Sequence, residues 1–140
     1  MRKISKIVVH CTATTPSMNV DAETIRQWHT AKPPNGRGWS DIGYHHVILR
    51  NGLIEKGRPE SVEGAHCSGH NEDSLGVALV GGLNDAYYPT FNFTFLQMHS
   101  LKNLLDKLVM TYPSSIVYGH NDLSSYKTCP VFNVKEFYYC

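Results

Sequence analysis

The segment Leu75–Val80 (LGVALV) is apolar at every position and is closed by Gly81-Gly82. An extended chain alternates its side chains between two faces, so a strand with no polar position needs cover on both. That requirement asks for a central strand with helices above and below it. Ile4–Cys11 (ISKIVVHC), rich in β-branched residues, reads as a second buried strand. Phe95–Met110 carries apolar residues at 95, 98, 101, 104, 105, 108 and 109, the spacing of an amphipathic helix. A further helix is expected over Asn19–Thr30, with Asp21 or Asn19 as its cap and Val20, Ala22, Ile25 and Trp28 on its apolar face. Gly43–Arg50 and Leu53–Lys56 read as a hairpin turning through Asn51-Gly52. The run KPPNGRG before Trp39 reads as a loop. Ser115–Tyr118 reads as a short strand followed by a polar loop, and Val134–Tyr139 as a final helical turn. Strands alternating with helices define an α/β layer architecture, and 140 residues suffice for one domain, residues 1–140.

Charge excludes some functions. Thirteen Lys and Arg against twelve Asp and Glu leave a net charge of +1, and the cations are scattered. The stripe of a nucleic-acid binder is missing, so no nucleic-acid partner is expected. No apolar stretch is long enough to span a bilayer, so no membrane insertion is expected. The apolar run Ile7-Val8-Val9 stops at His10, too short for the core of an export signal. Four cysteines, irregularly spaced, are too few for a disulfide scaffold and read as thiols or ligands. Eight histidines exceed what packing needs and point to metal or acid–base chemistry.

Among these, His10 ends the first strand, and Cys11 beside it should face the other way. His120 follows a strand, and Cys129 lies nine positions on in a loop. Two histidines and one cysteine, with a fourth position left to water, form a donor set of catalytic zinc. Spacing alone leaves alternatives open. A strand histidine is often a hydrogen-bonded core residue, and His66 could replace Cys129 as a ligand.

The motifs VVHCTAT, IRQWH, WSDIGYH, GAHCSGHNEDSLGV, LVGG, GHND and KTCP follow one another in order. Together they resemble the N-acetylmuramoyl-L-alanine amidases of the peptidoglycan-recognition type, including small single-domain phage lysozymes that are amidases despite that name. The resemblance runs from about Lys6 to Phe137. It implies a mixed, mainly parallel sheet flanked by helices and a Zn2+ held by His10, His120 and Cys129. Tyr44 and Lys127 stand at the family's catalytic positions. His66 and Asn71 are implied as substrate-binding residues of a groove, with Ser74 and Gly76 on its floor. The implied reaction is hydrolysis of the amide between N-acetylmuramic acid and L-alanine in bacterial peptidoglycan. The implied setting is an endolysin, a monomer held in the host cytoplasm until the membrane is opened. Phage relatives also inhibit their RNA polymerase, so such a polymerase is a further implied partner. A non-catalytic peptidoglycan-binding module is the alternative, and it is associated with loss of the cysteine ligand.

Two departures from the family pattern bear on the metal. Relatives often carry an acid where this chain has Asn133, and the loop from His120 to Cys129 is one residue longer than in phage enzymes. Asn133 is expected to loosen a ligand if that acid supports one. The remaining histidines read as structural or solvated: His45 on the opposite strand face from Tyr44, His29 in helix packing beside Trp28, and His70 in a loop.

Overall fold

The computed structural model describes residues 2–140. Its sheet runs β3-β2-β4-β1-β5, built from β1 (Lys6–Cys11), β2 (His46–Ile48), β3 (Ile54–Lys56), β4 (Ser74–Leu79) and β5 (Ile116–Gly119). β1 lies parallel to both β4 and β5, β2 lies parallel to β4, and β3 is antiparallel to β2. The apolar run read from the sequence is thus the middle strand, and every residue of β4 is buried. Among the described residues, no helix is long and apolar enough to cross a membrane.

Strand alternation divides the core in two. Ile7, Val9 and Cys11 of β1 and Leu75, Val77 and Leu79 of β4 face α2 (Phe95–Thr111), meeting Leu101, Leu104, Leu105 and Leu108. Val47 of β2 joins Ile25 and Ala22 of α1 (Ala22–Thr30) on the other side. His10, one position from Val9, projects toward that second side. A one-turn helix α3 (His120–Leu123) follows β5 directly, and α4 (Val134–Tyr139) packs Val134 into the larger cluster.

Several elements differ in extent from the sequence reading. α1 begins at Ala22, because Asp21 accepts the Thr24 amide at 2.8 Å and caps it there. Trp28 is 43% exposed and lies off the packed face. The hairpin turns at Asn51-Gly52 as expected, and Gly52 has φ +88°, where a Cβ would stand 3.0 Å from Leu96. The segment after β5 starts as helix α3 instead of loop.

α2 shows the largest departure. Phe95, assigned to the apolar face, is 83% exposed, whereas Gln97 is fully buried. Thr94 caps the helix through the Gln97 amide, and the Gln97 side chain returns the bond to the Thr94 amide at 2.9 Å. The Gln97 Nε2 also donates to the Ile48 and Val80 carbonyls at 3.1 and 2.8 Å. A side chain that reads as solvent-facing therefore fastens α2 to the sheet. Gln97→Ala leaves the Val80 carbonyl without a buried donor and the Ile48 carbonyl with the Val80 amide alone, and we expect a loss of about 1–3 kcal/mol in urea unfolding. A loss under about 0.5 kcal/mol would mean that water replaces the amide there.

Candidate metal centre

His10 is almost completely buried on β1 and reaches the floor of an open groove of about 760 Å3. His120 enters from the first turn of α3, immediately after β5, the strand hydrogen-bonded to β1. Cys129 arrives from the loop that follows α3. One ligand atom from each of His10, His120 and Cys129 lies within 4.8 Å of the other two. Adjacent parallel strands thus carry both histidines to one end of the sheet, and the following loop closes the triangle.

The loop carrying Cys129 is fastened to α3. The Asn121 amide donates to the Cys129 carbonyl at 2.9 Å, and the Asn121 Nδ2 donates to the Phe132 carbonyl at 3.2 Å. Within this loop a turn is closed by the Lys127 amide on the Ser124 carbonyl at 3.1 Å. Asn133 has a local task. Its Oδ1 accepts the Glu136 amide at 3.0 Å and caps α4. Asn caps a helix as well as Asp does, so the substitution leaves that function intact. The structure gives residue 133 no contact with a ligand to lose.

Protonation suits a cation. Burial, then the neighbouring His66 and His120, hold the His10 pKa well below its usual value. Burial, with Lys127 and His70 adding to it, lowers that of His120. Both imidazoles are therefore neutral near pH 7, the form that binds metals. The Cys129 thiol is pushed up by its hydrogen bond with Cys11 and by burial, so it stays protonated unless a bound cation draws the proton off. The Cys11 amide donates to the Cys129 sulfur at 3.0 Å, ready to support a thiolate. A His2Cys set with one side open to the groove fits zinc.

His66 lies behind this triangle. Its Nδ1 is 2.9 Å from His10 Nε2, and its Nε2 is 3.1 Å from Ser74 Oγ. For His10 to offer an unprotonated Nδ1 to a cation, its Nε2–H donates to His66, whose own Nε2–H donates to Ser74. A histidine ligand oriented through its second nitrogen holds its metal more firmly. The His66 ring lies against Gly76, where a Cβ would come within 2.6 Å of Cγ. The Asn71 Oδ1 accepts the amides of His66 and Cys67 at 3.0 and 2.9 Å, holding the loop that presents His66. Both residues also line the groove.

Tyr44 lines the groove half-buried, its ring centroid 5.3 Å from that of His10. Burial, reinforced by Cys129 and Cys11, raises its pKa and keeps the hydroxyl protonated. Lys127 stands exposed at the rim. His29, read as helix packing, instead forms part of the groove wall with Arg37 and Trp39. Its Nδ1 accepts the Gly43 amide at 2.9 Å and so braces the segment carrying Tyr44. The sequence signal for this was weak, because the bond joins α1 to a loop fourteen positions away. His45 has a structural setting. Its Nδ1 accepts the Gly76 amide at 3.0 Å, and its Nε2 donates to the Val62 carbonyl at 2.8 Å.

These buried and half-buried histidines make stability depend on pH. Burial above all lowers His66 to about 3 and His45 and His29 to about 4. Below about pH 6.5 the unfolded chain takes up protons that the folded chain refuses. Their contribution is complete above that value and is lost as pH falls toward 4 and then 3. The thermal midpoint at about pH 5 is expected several degrees below that at about pH 7.5. Equal midpoints would show that these rings charge freely in the fold.

Fold and donor set together define a groove at one end of a mixed, mainly parallel sheet, built around a candidate metal-binding triangle. Residues 1–132 match the N-acetylmuramoyl-L-alanine amidase family, and the chain belongs to it. It is 45% identical over 132 residues to an endolysin of Enterobacteria phage T3, covering 94% of this chain and 83% of that protein. An endolysin of Escherichia phage T7 is 43% identical, with the same coverage of each chain. Among solved structures, the endolysin N-acetylmuramoyl-L-alanine amidase LysCS from Clostridium intestinale superposes with a TM-score of 0.80 at 32% identity, covering 97% of this chain and 82% of that one.

Proposed function

We propose that the chain is a zinc-dependent endolysin that hydrolyses the amide between N-acetylmuramic acid and L-alanine in peptidoglycan. The observation that carries this reading is the convergence of His10, His120 and Cys129 within 4.8 Å on the floor of an open groove. When bound, zinc supplies a Lewis acid for the scissile carbonyl and lowers the pKa of water toward neutrality. The chain's own residues supply the rest. His66 and Ser74 fix the ring of His10, and the Cys11 amide supports the sulfur of Cys129. Lys127 brings an ammonium to the rim, where it stabilises the oxyanion that develops on the substrate carbonyl. Tyr44 keeps its proton on Oη and orients the reacting groups by donating it in a hydrogen bond. The groove walls, with His29, Arg37 and Trp39 on one side, hold the glycopeptide in place. The presence of Cys129 favours turnover over a binding module that has lost it.

The setting follows from the same reading: the enzyme waits in the host cytoplasm and reaches the wall after the membrane opens. Incubating the purified chain with sacculi tests the reaction. Peptides bearing a new N-terminal alanine are expected, chelator stops their release, and added zinc restores it. No release with zinc present, or equal release by His10→Ala, would sink the reading.

A further inference from the structure

The chain holds four cysteines, and two of them meet at the metal triangle from elements 118 positions apart. The Cys129 sulfur lies 3.0 Å from the Cys11 amide nitrogen and 3.7 Å from the Cys11 carbonyl oxygen. It therefore rests against the backbone of the residue whose thiol it would join. Cys11 is held in the ladder of β1 opposite Leu79 of β4, just past the end of the pairing with β5. The Cys129 loop is held by Asn121. Both residues line the groove, which admits a small reagent. Cys67 is also buried and lines the same groove, and Cys140 is exposed near the end of α4.

We propose that Cys11 and Cys129 are a covalent modification site: in the zinc-free chain, a small thiol oxidant joins them in an intramolecular disulfide. Each thiol gives up one hydrogen, the S–S bond forms, and the oxidant takes both hydrogens. With diamide as the oxidant, its N=N bond is reduced to the hydrazine. With a small disulfide, two small thiols are released instead. The bond consumes the sulfur that would otherwise hold the cation, so metal and disulfide exclude one another. Zinc bound through Cys129 protects the pair, and oxidation of the empty site bars zinc from returning.

The reading of His10, His120 and Cys129 as zinc ligands underlies the protection by metal, but not the disulfide itself. The test uses the full chain, zinc-loaded or chelator-treated, exposed to diamide and then quenched. Thiols are counted under denaturing conditions, and any crosslink is mapped by mass spectrometry of unreduced peptides. The zinc-free chain is expected to fall from four thiols to two, losing about 2 Da, with the crosslink joining Cys11 to Cys129. It then takes up no zinc until a dithiol reductant is added. The zinc-loaded chain is expected to keep all four thiols. Cys11→Ser is expected to form no intramolecular crosslink and to take up zinc after the same treatment.

Four thiols remaining in the zinc-free chain, or a crosslink through Cys140 alone, would overturn the proposal. So would equal oxidation of a zinc-loaded chain. A chain that never takes up zinc, yet still loses the two thiols at Cys11 and Cys129, would count against the metal reading and leave the disulfide standing.

Discussion

Cys129→Ser, purified beside the parent chain, is expected to retain less than about one-tenth of its zinc and to release peptide from sacculi about 10^3-fold more slowly. The reason lies in the donor set. A serine hydroxyl is a far weaker zinc ligand than a thiolate, and two neutral imidazoles alone leave the cation under-coordinated. The substitution is nearly isosteric, and Cys129 is only partly buried at the edge of the larger core cluster, so the fold should persist. Thermal unfolding in the presence of chelator separates these effects. Parent and variant should then melt within a few degrees of each other, while the parent alone gains stability when zinc is added. Full zinc content in the variant would show that His66 or another donor takes the third position.

Lys127→Ala is expected to leave zinc content unchanged and to lower kcat by about 10^2-fold, with a smaller change in KM. Lys127 stands exposed at the groove rim, two positions before the sulfur ligand. Its removal empties no core and frees no buried partner. On the proposed mechanism, what it removes is a positive charge beside the carbonyl whose oxygen turns negative as the amide is attacked, an interaction made chiefly in the transition state. Lys127→Arg should recover part of the loss, because the charge returns on a bulkier, differently aimed head group. If Lys127→Ala raised KM and spared kcat, the side chain would be a binding residue instead.

Much of this architecture is legible where physical signals are local. An apolar strand with no polar position has few places to go other than the middle of a covered sheet, and β4 is there. The Asn51-Gly52 turn is set by a glycine in the left-handed region against Leu96. His10, His120 and Cys129, implied as ligands by the family resemblance, come together in a group that could hold a metal ion. Less legible were side chains whose roles depend on partners distant in sequence. Gln97 looks like a surface glutamine until Ile48 and Val80 present their carbonyls to it. His29 looks like packing until Gly43 donates to it. In each case the polar group answers an unpaired backbone atom elsewhere, and periodicity carries no record of that atom.

The pairing of β1 with β5 has a consequence for the order of assembly. β1 is the first strand to leave the ribosome and β5 the last, yet they are hydrogen-bonded neighbours that together bring His10 and His120 to one point. A nascent chain that has displayed β1, β2 and β4 holds one imidazole of the triangle and none of its other donors. The triangle therefore comes into being only when the sheet is completed from its final edge. On the proposed function, metal capture would report that synthesis has passed Cys129 and that β5 has found β1.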